Sequence, residues 1–224
     1  MHKDLAKQLL LANETFYNKH GQAFADTRQQ IWEEELLMAQ HALPGMTVVD
    51  IGSGNGRFAR RLPEGVTYVG VEPSPTLRQN APIGVNLLPG SFPHIPLPDA
   101  FGDMVICFAV LHHLPSREGR EQAVHELIRL TKPGGIIAAT SWFLPSHRSD
   151  LLTVYGGDPG DVWVPWRAQA STAKRYVHLM QPEEWDTLWN QPELRIERLG
   201  LFGKQGWTSD QETARNWFVI ARRI

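Results

Sequence analysis

"VVDIGSGNGRF", Val48 to Phe58, begins as an apolar strand and breaks into glycines at Gly52, Gly54 and Gly56. Alternate glycines at a strand end make a turn whose backbone something approaches closely. In an open parallel sheet that place is a ligand site, because ligands sit beyond the carboxyl ends of the strands near the point where strand order reverses. A dinucleotide fingerprint needs glycines spaced G-x-G-x-x-G, and Arg57 stands where the third would fall. No Walker lysine follows the turn. What remains is Asp50 near the strand end, then Gly52, Ser53, Gly54, Asn55 and Gly56, and a second strand ending in an acid, Glu72, ahead of Pro73 in "YVGVEPS". That acid is placed to accept hydrogen bonds from two ribose hydroxyls. A cofactor with an adenosine, a zwitterionic amino-acid tail and no phosphate matches these parts, which points to S-adenosylmethionine.

Outward from the turn, short apolar runs alternate with polar helical stretches. Strands are expected at Thr47–Ile51, Thr67–Val71, Val85–Leu88, Met104–Val110 and Gly135–Ser141, with helices at Gly56–Leu62, Thr76–Asn80 and Arg117–Leu130. This rhythm means an α/β fold, a mostly parallel sheet with helices on both faces. Met104–Val110 carries no charge, as expected of a central strand covered on both sides. Residues 3–42 read as an N-terminal helical cap ending before "LPG" at Leu43–Gly45. Residues 144–178 break the rhythm with turn signals and aromatics, so they are expected to form a substrate-side surface insertion. A helix near Pro182–Asn190 and strands at Leu194–Leu199 and Asn216–Ala221 complete what is expected to be one domain over residues 1–224.

Composition narrows the function classes. The chain is 42% hydrophobic and 21% charged, with no long apolar span or basic-then-apolar leader, so a cytoplasmic protein with no membrane association is expected. A single cysteine, Cys107, rules out an internal disulfide and a cysteine-built zinc site, and its apolar neighbours mark it as core. The histidines 94, 112, 113, 147 and 178 lack ligand spacing, so no metal is expected. A formal charge of −2 does not advertise nucleic-acid binding; such a substrate needs local patches or a helper subunit.

"FAVLHHLPS" at the end of the fourth strand and "LTKPGGIIAATSW" into the fifth resemble the Rossmann-like class I methyltransferases, whose sheet has seven strands with the last antiparallel. Sharper anchors lie in "YNKHGQAFADTRQQIW" (17–32), "DVWVPWRAQA" (161–170), "KRYVHLMQPEEW" (174–185) and "ARNWFVIARR" (214–223). Together these are similar to the tRNA wobble-uridine carboxymethyl methyltransferases, and the similarity spans most of the chain. Ser53 replaces that family's cysteine in the turn, Glu72 its aspartate, and Val177 the second tyrosine of its R-Y-Y-H. Its adenine-binding aspartate near Ser91 has no counterpart here. The resemblance implies further cofactor contacts from Ser91 and Phe92, and from Phe108, Ala109 and Val110.

The family's reaction methylates the carboxylate of 5-carboxymethyluridine in a tRNA anticodon. A carboxylate is already ionised at neutral pH, so alignment and water exclusion matter and a general base does not. Aromatic walls and cations are therefore expected: Trp142 and Trp166 as walls, Arg28, Arg175 and His178 as cations, Tyr176 as a hydroxyl donor, and His112 or His113 facing the methyl group. Read without the resemblance, Arg28 is expected to pair with Glu33 or Asp26 on its helix. A tRNA partner would meet Arg57, Arg60, Arg61, Arg117, Arg120, Lys174, Arg175, Arg222 and Arg223. In the relatives a small zinc-binding activator adds a strand beside the sheet, and "GVNLL" (84–88) is expected to be the edge that would take it. Two other readings stay open: a methyltransferase for a small carboxylic acid or other metabolite, and a cofactor-holding activator subunit without catalysis of its own.

Overall fold

The computed structural model describes residues 1–27, 32–144, 151–166 and 173–224. Parallel strands β1 (Thr47–Ile51), β2 (Thr67–Val71), β3 (Leu87–Leu88), β4 (Gly102–Phe108) and β5 (Thr131–Trp142) build the central sheet. On its far side β9 (Leu194–Gly203), β10 (Gly206–Thr208) and β11 (Ala214–Arg223) add antiparallel pairings, β11 lying between β5 and β9. The spatial order is β10-β9-β11-β5-β4-β1-β2-β3, eight strands. The expected seven-stranded Rossmann-like sheet is therefore present, extended by β10, which folds back on β9.

Alternation along β1 divides the interior in two. Val49 and Ile51 pack with Val105 and Cys107 against α4 (Arg117–Leu130) and α5 (Pro182–Trp189), whereas Val48 packs with Met104, Ile106 and Phe218 against Met38 of α2 (Glu33–Ala39) and Phe58. β4 is buried on both faces because no residue from Met104 to Phe108 is polar, and Cys107 lies in that core. The helix expected over 56–62 is a 3-10 turn, Arg57–Arg61, and α3 (Pro75–Gln79) follows β2.

The helical cap is α1 (Lys3–Thr27) followed by α2. The insertion departs from the expectation of irregular surface chain. Its described part holds β6 (Leu152–Thr153) and β7 (Asp161–Pro165), which join β8 (Lys174–His178) in a second, three-stranded antiparallel sheet. β8 is the edge of that sheet, and α1 closes it. The Asn13 carboxamide accepts from the Tyr176 backbone N–H at 2.8 Å and donates to the Tyr176 carbonyl at 3.0 Å, taking the place of a neighbouring strand.

The two-residue period of β8 corrects two expectations. Arg175 faces one side, Tyr176 and His178 the other, so the last two cannot share a site with the first. The Tyr176 hydroxyl donates to Asp161 Oδ1 at 2.7 Å, and His178 bridges Asp161 (2.7 Å) and Glu184 (2.8 Å). Glu184 in turn pairs with the buried Arg120 at 2.6 Å. The chain Arg120–Glu184–His178–Asp161 ties α4 and α5 to the small sheet. Its carboxylates hold His178 above its ordinary 6.5 against the opposing pull of burial, and hydrogen bonds from His178 hold Asp161 and Glu184 below 3.8 and 4.5 although burial pushes them up.

The raised histidine stabilises the fold fully below 6.5 and loses that contribution as pH rises through its folded value. The lowered acids contribute above 3.8 and 4.5 and lose it as pH falls through theirs. His178→Gln is therefore expected to cost most between about pH 4.5 and 6.5, on the order of 3 kcal/mol, and less on the alkaline side. Denaturant titrations of both proteins across pH 4–9 check this.

Candidate functional site

The turn after β1 is held by its own backbone. Gly52 and Ser53 N–H both donate to the Val71 carbonyl, at 2.8 and 3.1 Å, and Gly56 N–H donates to Ser53 at 2.9 Å. Gly52 and Gly54 both have positive φ, +72° and +59°, but they face different surroundings. A Cβ on Gly52 would meet Val110 Cγ2 at 2.3 Å, so the close approach there is the protein's own. A Cβ on Gly54 would meet nothing within 4 Å, so that glycine opens onto free space. The Ser53 hydroxyl beside it is buried without a partner.

The acids close round this space. Glu72 accepts from Gly54 N–H at 3.0 Å and Ser74 N–H at 2.9 Å, which fixes the carboxylate beside the glycine. Asp50 accepts from the Tyr68 hydroxyl at 2.8 Å. Burial lifts each to about 7, against those hydrogen bonds. An orphaned hydroxyl, an open glycine cradle and a buried acid with backbone-fixed oxygens fit an adenosine carrying ribose hydroxyls. Gly52 through Gly56 with Asp50 and Glu72 are the residues that would hold it. Pro73 stands exposed after Glu72, its carbonyl and that of Glu72 capped by Arg78 at 2.8 and 2.6 Å. Ser91 lies exposed in a turn bridged to His94, with Phe92 against the main core. Ala109, at φ 56°, ends β4 and donates to the Thr140 hydroxyl and carbonyl; Val110 then packs on Gly52, and Phe108 is buried with Phe58 and Phe218.

Beside the tips of β5 and β8 lies a cleft of about 480 Å³ lined by Trp32, Trp142, Trp166 and Arg175, with Glu34 and Asn216 on its wall and Arg215 exposed at its rim. Arg175 is 4% exposed. Its guanidinium is surrounded by the rings of Trp142 (4.8 Å), Trp166 (5.3 Å), Phe16 (5.4 Å) and Phe24 (5.9 Å). Its one hydrogen bond among the described residues goes to the Tyr17 hydroxyl at 3.4 Å, no carboxylate pairs with it, and Nε has no partner. Cation–π contacts offset part of the cost of burying a cation, but they leave its N–H donors unused.

The histidine pair divides into two roles. His113 has both nitrogens engaged, with the Tyr17 hydroxyl at 2.8 Å and the Tyr176 carbonyl at 2.9 Å, and burial pushes its pKa down to about 3. It supports α1 and β8 and has nothing left for a substrate. His112 stacks on Trp142 at 4.8 Å, accepts the Trp142 backbone N–H on Nδ1 at 3.1 Å, and has an unpartnered, buried Nε2. Burial holds it neutral, so Nε2 carries the proton. Of the expected acceptor-side residues, the structure thus brings His112, Trp142, Trp166 and Arg175 together; Arg28 lies outside the described residues. Sequence reasoning missed Phe16, Tyr17 and Phe24, which share one face of α1, and Glu34 and Asn216; Tyr17 and Phe24 stand seven positions apart, a helical repeat that marks that face.

The expected basic patch is largely corrected. Arg57 pairs with Glu35 at 2.9 Å and covers Trp32, Arg120 is in the buried chain, Arg222 pairs with Glu197, and Arg223 caps the carbonyls of Ile128 and Thr131. Arg117 pairs with Glu121, and Lys174 covers Trp163. Arg60 and Arg61 remain exposed.

A methyltransferase domain family matches residues 49–139, from β1 into β5. A protein of Encephalitozoon cuniculi that carries the name putative methyltransferase is 30% identical over 168 residues, covering 73% of this chain and 78% of that protein. The chain belongs to the S-adenosylmethionine-dependent methyltransferases. S-adenosylmethionine is its cofactor. Two similar proteins carry the name tRNA (carboxymethyluridine(34)-5-O)-methyltransferase. The one from Schizosaccharomyces pombe is 28% identical over 92% of this chain and 94% of its own length. The one from Arabidopsis thaliana is 30% identical over 61% of this chain, which spans about a third (34%) of that protein. Among solved structures, a Burkholderia thailandensis 1,6-didemethyltoxoflavin-N1-methyltransferase with bound S-adenosylhomocysteine matches with a TM-score of 0.66 at 15% identity over 100% of this chain and 91% of that one. A Haloferax volcanii methyltransferase in complex with the Trm112 activator matches with 0.62 at 18% over 94% and 96%. At such identities the likeness is one of fold. Among the described residues of this methyltransferase no helix is long and apolar enough to cross a membrane.

The two glycines separate by phenotype. Gly54→Val is expected to abolish S-adenosylhomocysteine binding while lowering stability only by the strain of its positive φ, about 1–2 kcal/mol. Gly52→Val collides with Val110 and is expected to destabilise the whole domain. Calorimetric ligand titration alongside thermal unfolding distinguishes them.

Proposed function

We propose that this methyltransferase esterifies a carboxylate held by Arg175, and that the acceptor is 5-carboxymethyluridine at the wobble position of a tRNA. The observation that carries it is the buried Arg175 guanidinium, caged by aromatic rings and lacking a counter-charge among the described residues. An unpaired buried cation is costly, and an anionic ligand that accepts from its free donors relieves that cost. When bound, S-adenosylmethionine supplies an electrophilic methyl on a sulfonium. The protein's part is to orient and to exclude water. Arg175 grips one carboxylate oxygen and leaves the other to attack, Trp142 and Trp166 wall the cleft, and the His112 Nε2–H is a spare donor beside Trp142. Arg28, one residue past the "DT" that ends α1, is the second cation of this reading. Residues 1–224 act as one domain, working on tRNA in the cytoplasm.

The names of the relatives from Arabidopsis and Schizosaccharomyces support the tRNA acceptor. Among the described residues the β3 edge is unpaired on its outer side, and Ile83 just before it is fully exposed, which suits a small activator that adds a strand, with its own zinc site. One observation favours a second reading, a small carboxylic acid as acceptor: Arg57, Arg120 and Arg223, three of the arginines expected to meet tRNA, are spent on partners within the fold.

Bulk tRNA from a strain lacking this enzyme, incubated with labelled cofactor and digested to nucleosides, tests the choice. Methyl ester on uridine supports the tRNA reading; label on a small acid in the lysate supports the second; no transfer to either overturns both. Arg175→Ala is expected to keep cofactor affinity and lose acceptor kcat/KM by roughly 10²-fold or more, with little rescue in Arg175→Lys because an ammonium does not reproduce the planar guanidinium held among the aromatic rings.

A further inference from the structure

Glu34 is an unusual residue to find on the wall of a cleft built for an anion. It is 3% exposed and its Oε1 accepts from Asn216 Nδ2 at 2.5 Å, linking α2 to the start of β11 across 182 positions of sequence. Both residues line the same cleft as Arg175, Trp32 and Trp142. Their single mutual hydrogen bond leaves Asn216 Oδ1 and an Asn216 N–H without a side-chain partner among the described residues, while the Glu34 carboxyl also accepts from its own backbone N–H.

We propose that Glu34 and Asn216 form a second acceptor-side subsite that reads the imide edge of a pyrimidine base; this deepens the proposed function and rests on it. The chemistry of the pair selects the ligand. A carboxyl beside a carboxamide offers both donors and acceptors at adjacent positions, the complement of an edge that alternates C=O, N–H and C=O. A cationic ligand is disfavoured by Arg175 in the same cleft, and an apolar one by the donors and acceptors of the pair, so the group facing the pair is polar. Burial raises the Glu34 carboxyl to about 7, helped by its neighbours Glu35 and Glu33, so a protonated, donating form is populated at neutral pH. Trp32, Trp142 and Trp166 line the space for a ring that carries its acid arm toward Arg175. A buried polar pair of this kind also gives specificity, because a ligand without the imide leaves it unsatisfied.

The test uses the protein saturated with S-adenosylhomocysteine and titrated with three small probes, followed by indole N–H shifts in NMR spectra. 5-Carboxymethyluracil carries acid and imide, phenylacetate the acid alone, thymine the imide alone. Expected is about tenfold tighter binding of 5-carboxymethyluracil than of phenylacetate. Glu34→Leu and Asn216→Leu should erase that preference while leaving phenylacetate and S-adenosylhomocysteine affinity within about twofold, and Glu34→Gln, which keeps a neutral donor and acceptor, should retain it. Equal binding of the two acids, or a preference that survives Glu34→Leu, overturns the subsite and leaves the Arg175 clasp intact. Thymine binding that depends on Glu34, with phenylacetate unbound and Arg175→Ala silent, upholds the subsite and removes the clasp. Failure of both pyrimidines to bind at millimolar concentration overturns the proposal.

Discussion

Asn13 pairs its carboxamide with both backbone groups of Tyr176, and the acceptor side of the molecule depends on that contact. An edge strand with unmet N–H and C=O groups would otherwise be free to slip or to recruit another chain. Docked against α1, β8 has one register, and register decides which side chain reaches the cleft. A slip by one position would send Arg175 into the interior and bring Tyr176 out. His113 reinforces the same junction by joining Tyr17 of α1 to the Tyr176 carbonyl. The helical cap is thus a structural partner of the small sheet, and the aromatic cage of Arg175 draws Phe16 and Phe24 from that helix.

The cofactor half was legible because its signals are local. β4 announces itself by an uninterrupted apolar run, and the turn by its glycines, each within a few residues of what it determines. Gly54 opens onto free space, whereas Gly52 answers to Val110, a distinction that spacing alone does not carry. The α4 stretch shows the reverse difficulty. Arg120 reads as a surface residue of a charged helix, yet it is buried against Glu184, a partner on an element far along the chain.

Tyr176 and His178 illustrate a different loss of information. A motif resembling R-Y-Y-H invites treatment as one functional unit, but in a strand its odd and even members serve opposite faces. The segment does not read as a strand, because it lies in a stretch rich in turn signals and short of long apolar runs. Likewise the pair Glu34–Asn216 joins residues nearly the whole chain apart, and no spacing rule connects them.

α2 places two consecutive carboxyls on different duties. Glu35 grips Arg57, the first residue after the glycine turn, and accepts the Trp32 N–H that starts the helix, while Glu34 meets Asn216 at the cleft wall. Seven residues of helix thus fasten the first residue after the glycine turn and one wall of the cleft to a single short element. The spacing between the two compartments is therefore set by adjacent side chains of one helix turn.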